Sequence, residues 1–253
     1  MIKNTLIRLY GLIAYALGLL SLIAFTLFAN NGFVNVGIWL DDPTLGAFSI
    51  DVPALGYTEY PLAFNIGLLL LFGLQHSVMA RPGFKAVFTK IVPKAAERSS
   101  YVLGTALVIF AMIFYWHPMV GLVWQVDAEW ARTSIHLVYW IGFLITFLAT
   151  QMIDGMHLMG VKQSFSPDDP DKGTKNFVTP GFYKFVRHPI QTGIVIAMIA
   201  TPDMTVGRLT LAIGMLLYVG VGLYYEEKDL IGEFGDTYRD YKRRVPALFP
   251  KFW

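Results

Sequence analysis

Residues 9–29 read LYGLIAYALGLLSLIAFTLFA, an uncharged apolar run of 21 residues. About 20 helical residues, each rising about 1.5 Å, cross the roughly 30 Å hydrocarbon core of a bilayer. Lys3 and Arg8 precede the run as in a signal peptide, but the run is too long and no Ala-x-Ala site closes it. We therefore interpret it as a retained first membrane span.

Three more apolar runs approach this length, at residues 61–78, 101–116 and 134–153. The third predicted span runs into His117-Pro118, and a helix is disfavoured just before proline. We place its end near Trp116, with an extension toward Trp124 as the alternative.

A fifth apolar stretch, residues 190–225, is interrupted by Thr201-Pro202-Asp203 and then by Arg208. One straight span would leave backbone groups unsatisfied and a charge unpaired within the membrane. The stretch therefore predicts a helical hairpin with a short arm at 189–200 and a longer arm at 209–225. Both ends of the hairpin then face the same side of the membrane.

The predicted fold class is an all-α integral membrane protein with about five hydrophobic segments, the last a hairpin. The composition agrees, because 55% of the 253 residues are hydrophobic, 15% are charged and the mean hydropathy is +0.51. We expect a single membrane domain over 1–253, with four transmembrane spans in 1–153. The remaining residues, 154–253, form a cytoplasmic-face module that includes the hairpin 189–225.

The placement of cations predicts the orientation. With the N-terminus inside, segments 1–8, 79–100, 154–188 and 226–253 are cytoplasmic and hold 18 of the 20 Lys and Arg residues. The long first outer loop, residues 30–60, holds none. We therefore expect a multi-pass membrane protein with both termini in the cytoplasm.

Composition also excludes several functions. The net charge is only +2 and the cations form no contiguous basic stripe, so no nucleic-acid partner is expected. The chain has no cysteine, which removes disulfides, cysteine metal sites and a protein thiol nucleophile. No two histidines have HxxxH or HExxH spacing, so we expect no metal.

Two polar segments flank the hairpin. GFYKFVRHP, residues 181–189, enters it with a cation and an imidazole before a first-turn proline, which suits an anion at the helix N-terminus. Residues 224–246 leave it with Glu226-Glu227 and a tail rich in Tyr and Arg. The alternative is that these are membrane-flanking charges and a headgroup anchor. Together, however, the two segments could bind a zwitterion.

An ordered set of motifs runs through these segments: RHP at 187–189 with Gly193, Glu226-Glu227, Phe234-Gly235, Tyr238, Tyr241 and RVP at 244–246. In this order they resemble the C-terminal S-adenosylmethionine-binding module of the isoprenylcysteine carboxyl methyltransferase superfamily. The resemblance implies a cytoplasmic-face cofactor pocket, S-adenosylhomocysteine as the product, and Arg244 at the reacting end. The cofactor-binding residues so implied are Tyr183, Arg187, His188, Pro189, Gly193, Glu226, Glu227 and Tyr238.

Further motifs are QHSVMAR at 75–81, ERS at 97–99 and ATPDMTVG at 200–207. They are similar to those of the bacterial methanethiol S-methyltransferases. This resemblance implies methylation of methanethiol to dimethyl sulfide and a location in the bacterial inner membrane. The chain departs from that family at 155–160, where GMHLMG replaces a His-Phe-Asp/Glu-Leu-Phe-Gly run. The thiol accepted stays open for this reason.

Methylation of a thiol requires positioning, exclusion of water and a deprotonated nucleophile, but no metal. His76, Asp154 and His157 lie at predicted cytoplasmic ends of spans and are candidate bases. With Arg244 they complete the predicted catalytic set, although a polar residue at a span end usually bonds a backbone carbonyl or a headgroup. The expected partners are a small volatile thiol and membrane lipid.

Other functions fit parts of the sequence. The same cofactor module could methylate a lipidic acceptor, either a prenylcysteine carboxylate or a phospholipid amine. A small transporter or scaffold is disfavoured by the lack of inverted repeats and the scarcity of charge within spans. A haem anchor would need paired in-span histidines, which the sequence lacks.

The predicted orientation can be tested by cysteine labelling, since the chain has no native thiol. Cysteines replacing Asp42 in the 30–60 loop and Lys90 in the 79–100 loop should react from opposite sides of the membrane, position 42 from outside and position 90 from inside. A membrane-impermeant thiol reagent applied to intact and permeabilised cells measures this. Labelling of both positions from one side would refute the topology.

Overall fold

The computed structural model describes residues 2–52, 58–170 and 177–251. Within these ranges there are eleven α-helices and two short strands, together with 3₁₀ turns at Pro43–Phe48 and Gly181–Lys184. The helices are α1 Ile2–Ala29, α2 Gly32–Leu40, α3 Pro61–Ala80, α4 Pro82–Phe88, α5 Lys94–Tyr115, α6 Glu129–Met152, α7 Gly155–Leu158, α8 Val161–Phe165, α9 Pro189–Ile199, α10 Val206–Phe234 and α11 Asp236–Arg244. The strands β1 Leu122–Gln125 and β2 Asp203–Thr205 pair antiparallel.

Five of the described helices, α1, α3, α5, α6 and α10, are long and apolar enough to cross a membrane. Large apolar side chains such as Leu70, Leu144 and Leu217 are exposed on them, as expected of a surface that lipid covers. The chain is therefore a multi-pass membrane protein, and the predicted all-α membrane fold is confirmed. The short hairpin arm is α9, which has only 11 residues.

The structure decides between the two ends predicted for the third span. α5 begins at Lys94 and ends at Tyr115, so the predicted end near Trp116 is right and the extension toward Trp124 is wrong. Trp116 is already extended, with φ −67° and ψ 129°, and the helix thus ends before His117, the residue that Pro118 disfavours in a helix. The chain then forms β1, whose backbone groups pair with β2.

The hairpin also differs in detail from the sequence prediction. Its turn contains β2, which satisfies backbone groups around Pro202 that a simple turn would leave unpaired. The long arm, predicted to end at Tyr225, continues to Phe234. It ends where Gly235 adopts a positive φ of 56°, a conformation that glycine adopts without strain. Glu226 and Glu227 are therefore helical.

The described residues form two compact units. The first lies within Met1–Gln125, Met156–Lys172 and Asp203–Leu211, and in it α5 packs against α1, α3 and α8. The second lies within Val126–Gly155, Gly173–Pro202 and Ala212–Trp253, and in it α6 packs along α9. The single membrane domain and its boundary at residue 154 stay predictions.

A buried ion pair joins two distant segments of the first unit. Arg208 donates from Nε to Asp51 Oδ2 at 2.8 Å, and both side chains are largely buried. Thr205 donates to Oδ1 of the same carboxylate at 2.7 Å, and Asn31 donates to Oδ2 at 2.9 Å. Arg208, one of the two cations outside the predicted cytoplasmic segments, is thus paired.

Candidate functional site

The candidate site lies in the second unit, at the base of the hairpin. α9 begins at Pro189, where the missing N–H of proline costs no helical hydrogen bond, and His188 is its N-cap residue. α10 carries Glu226 and Glu227, and the turn at Gly235 leads directly into α11. The folding of one hairpin and one tail helix therefore brings the predicted basic and acidic motifs into contact.

Glu227 is the centre of this cluster. Its Oε1 accepts from Arg187 Nε at 2.8 Å and lies 3.1 Å from His188 Nε2. Its Oε2 lies 2.6 Å from Lys242 Nζ. A carboxylate this buried is tolerated because charged and hydrogen-bonding partners replace water. We call these four side chains, Arg187, His188, Glu227 and Lys242, the hairpin-base cluster.

Arg187 also anchors the C-terminal tail. Its Nη1 donates to Lys242 O at 3.1 Å and to Val245 O, while Nη2 lies 2.6 Å from Glu227 Oε1. All three guanidinium nitrogens thus point at protein acceptors, so Arg187 acts as a structural anchor. The attachment continues along the tail, from Arg187 N to Pro246 O at 2.9 Å, from His188 N to Ala247 O at 3.0 Å and from Thr192 Oγ1 to Leu248 O at 2.7 Å.

Aromatic side chains pack next to the hairpin-base cluster. The ring of Phe177 lies 5.8 Å from Tyr238 and 5.2 Å from Tyr241, and the Tyr241 hydroxyl donates to Tyr183 O at 2.5 Å. Burial raises the pKa of Tyr241 to about 12. Burial, followed by neighbouring carboxylates, also raises the pKa of Tyr183 and of Tyr238. All three phenols are therefore neutral at neutral pH and able to donate hydrogen bonds.

The hydroxyl of Tyr238 differs from the polar groups of the hairpin-base cluster, because its hydrogen-bonding capacity is not satisfied within the described part of the chain. The residue is 1% exposed, yet the hydroxyl has no hydrogen-bond partner among the described residues. A buried polar group left unsatisfied costs about 1–3 kcal/mol. A ligand that offers an acceptor to this hydroxyl would recover that cost.

Two charges of opposite sign remain accessible at the edge of the cluster. The Glu226 side chain is 46% exposed, with Oε2 3.8 Å from His188 Nδ1 and 3.3 Å from Gln191 Nε2. The Lys242 side chain is 44% exposed. A carboxylate and an ammonium on one surface complement the two charges of a zwitterion.

Several predicted site residues have other surroundings. A Cβ on Gly193 would lie 2.3 Å from Gly142 O and 2.4 Å from Thr146 Oγ1, so Gly193 lets α9 approach α6 closely. Arg244 is exposed, and its Nε donates to Asp240 O at 3.3 Å within α11. Gly193 is thus required for helix packing, and its cofactor role stays a prediction.

The predicted bases are divided between the two units. Asp154, in the second unit, follows α6 with a positive φ of 78°. His76, in the first unit, has Nδ1 3.1 Å from Thr105 Oγ1 and its ring 4.9 Å from Tyr101. His157 also belongs to the first unit, and its carbonyl accepts from Gln163 Nε2 at 3.0 Å.

Of the predicted residues, the structure brings together Tyr183, Arg187, His188, Pro189, Glu226, Glu227 and Tyr238. Sequence reasoning missed Lys242 and Gln191. A signal for Lys242 existed, because the three-residue spacing of Tyr238 and Tyr241 is that of one helix face and would mark the buried face of a helical tail. Lys242 follows Tyr241 at the edge of that face.

The chain is similar along its length to named proteins. It is 39% identical to methanethiol S-methyltransferase 2 of Bradyrhizobium diazoefficiens, over 100% of this chain and 93% of that protein. It is 33% identical to methanethiol S-methyltransferase of Crocosphaera subtropica, over 98% of this chain and 93% of that protein. It is 30% identical to nurim of Sus scrofa, over 67% and 68% of the two chains. No protein-family profile and no solved structure matches the chain.

The central role of Glu227 predicts that its substitution destabilises the protein more than substitution of the adjacent Glu226. Glu227→Gln leaves the buried Arg187 guanidinium without its counter-charge, and we expect it to lower the free energy of unfolding by about 3–5 kcal/mol. Glu226→Gln, at a half-exposed position, should cost less than about 1 kcal/mol. Denaturant titration of both variants in detergent measures this. Equal effects would contradict the assignment of Glu227 as the centre.

Proposed function

We propose that this chain, which belongs to the methanethiol S-methyltransferase family, transfers a methyl group from S-adenosylmethionine to methanethiol and releases dimethyl sulfide. The observation that carries the proposal is the similarity to enzymes of this name along nearly the whole chain. The hairpin-base cluster supports it, because it offers charges that fit a zwitterionic methyl donor.

The fit to S-adenosylmethionine rests on three groups. The accessible Glu226 carboxylate suits the ammonium of the methionine part, and the accessible Lys242 ammonium suits its carboxylate. The unsatisfied Tyr238 hydroxyl supplies a further donor. When bound, S-adenosylmethionine supplies an activated methyl group on a positively charged sulfonium.

The remaining residues of the cluster hold these groups in place. Glu227 joins α9 to α10 and α11, and Arg187 fixes the tail that follows α11. Rigid placement is the main requirement of an in-line transfer, because orientation alone lowers the barrier by several kcal/mol, on the order of 7–11 in model reactions. Arg187 and His188 therefore act as positioning residues in this proposal.

In this proposal the acceptor sulfur itself attacks the methyl group, and the chain has no cysteine whose thiol could take the methyl group first. A thiol with a pKa above neutrality is mostly protonated, so a base assists. His76, Asp154 and His157 remain the candidate bases, and Arg244 remains the group predicted at the reacting end.

We place the site at the cytoplasmic face of a bacterial inner membrane. The distribution of cations supports this, because 18 of 20 lie in the segments assigned to that side. Both flanks of the hairpin, residues 181–188 and 226–246, belong to those segments. An apolar thiol can reach such a site through the bilayer.

The proposed reaction predicts a volatile product. Membranes containing the protein, given methyl-labelled S-adenosylmethionine and methanethiol, should release labelled dimethyl sulfide, measured by gas chromatography of the headspace. Glu226→Gln should reduce the rate at least tenfold, whereas Glu233→Gln, at an exposed position of the same helix, should not.

Residues 155–160 depart from the family's motif, which leaves open the thiol that is accepted. Other small thiols and hydrogen sulfide should therefore be assayed in parallel. No methylated thiol from any of them, with cofactor binding intact, would refute the thiol assignment. Label that partitions with phospholipid or with a prenylated acceptor would instead support the lipid alternative.

Tyr238 gives a test of cofactor binding that is separate from folding. Tyr238→Phe removes a buried hydroxyl that bonds no described group, so stability should rise by up to about 1–3 kcal/mol. The Kd for S-adenosylmethionine should nevertheless rise about tenfold, or about 1.4 kcal/mol. Tyr241→Phe is the matched control, since its hydroxyl bonds Tyr183 O and its loss should affect stability first. Calorimetry and thermal unfolding measure both. Unchanged affinity in Tyr238→Phe would remove this residue from the site.

A further inference from the structure

The short helix α2, in the first unit, ends in an exposed apolar turn. Ile38, Trp39 and Leu40 are 75%, 82% and 53% exposed. Consecutive residues of a helix point about 100° apart, at 3.6 residues per turn, so these three side chains surround the helix end. We call them the α2 tip. Exposed aspartates, Asp41 and Asp42, follow it directly.

The rest of α2 is held firmly, so the α2 tip projects from a fixed base. Phe33 packs edge to face on Phe48 with ring centroids 6.0 Å apart, and Phe48 packs likewise on Phe114 at 5.3 Å. A Cβ on Gly37 would lie 2.6 Å from Asp42 O, so the chain after the helix folds back closely on it. Asp42 N donates to Gly37 O at 2.8 Å and closes this turn.

The position of α2 along the chain sets the level at which it begins relative to the membrane. α1 is a membrane span that ends at Ala29, and α2 begins at Gly32 after a turn in which Asn31 has a φ of 53°. α2 therefore starts at the end of a span, where hydrocarbon gives way to headgroups. With 9 residues it is about 13 Å long, too short to cross a bilayer.

The chemistry of the α2 tip matches that boundary. Tryptophan is enriched at membrane interfaces, because its ring is apolar and its indole N–H polar. The adjacent Asp41 and Asp42 carboxylates oppose deep insertion, since charge in hydrocarbon is costly. The combination fits a shallow position with the apolar side chains among the upper acyl carbons.

We propose that the α2 tip inserts into the headgroup–acyl boundary of the bilayer that α1 spans. Residues 30–60 then do not form a purely aqueous loop, because their first helix is a membrane-surface element. The proposal does not depend on the reaction that the protein catalyses.

Single-cysteine labelling of the full chain tests this without background, because there is no native cysteine. Trp39→Cys carries an environment-sensitive fluorophore, and the protein is placed in phosphatidylcholine nanodiscs. Leu70→Cys, exposed within α3, serves as the membrane-buried control, and Asp236→Cys, exposed at the start of α11, serves as the aqueous control. The quenchers are aqueous iodide and lipids with a nitroxide at a shallow or a deep acyl carbon.

We expect the label at position 39 to be quenched at least twofold more by the shallow than by the deep nitroxide, and to be protected from iodide relative to position 236. Iodide quenching equal to that at position 236 would overturn the proposal. Protection from iodide without nitroxide quenching, together with crosslinking between cysteines at position 39 of two copies, would also overturn it and would assign the α2 tip to a dimer contact. Preferential quenching by the deep nitroxide would rule out a shallow position.

Discussion

One buried carboxylate organises the C-terminal part of this protein. Glu227 lies on a membrane helix and accepts from or pairs with Arg187, His188 and Lys242, which belong to segments far apart in the sequence. In a region of low dielectric a lone carboxylate would be strongly destabilising, so each partner is required by the others. The start of α9, the end of α10 and the helix α11 are therefore fixed by one set of ion pairs.

A buried carboxylate paired with an arginine also holds segments of the first unit together. Asp51 and Arg208 form a buried pair, and Thr205 and Asn31 complete the hydrogen bonds of the carboxylate. In both units the chain places an acid and an arginine where apolar helices end and backbone geometry changes. Hydrophobic length determines that the helices cross the membrane, while these few polar contacts determine how the segments between them are held.

The sequence predicted the spans well because hydrocarbon thickness imposes a length that apolar runs reveal directly. It did not predict β1 and β2, since strands of four and three residues carry no periodic signal and depend on a partner distant in sequence.

Within the candidate site, the sequence could not distinguish Glu226 from Glu227. Adjacent residues differ by about 100° around a helix, and only the packing of α10 decides which one is buried. The contacts of Arg187 with backbone carbonyls of the tail were also beyond sequence analysis, because those carbonyls have no side-chain signature. Gly193 shows the same limitation, since its role depends on Gly142 and Thr146 of another helix.

The attachment of the tail also fixes an order of assembly during synthesis. Arg187 and His188 bond the carbonyls of residues 245–247 through side-chain or backbone donors, and the ribosome delivers these carbonyls only after α9, α10 and α11 have been made. Arg187 and Glu227 can pair with each other once α10 has been made, but the bonds to the tail carbonyls must wait for α11 and the residues after it. The tail therefore closes over the hairpin base only after the hairpin itself has been synthesised.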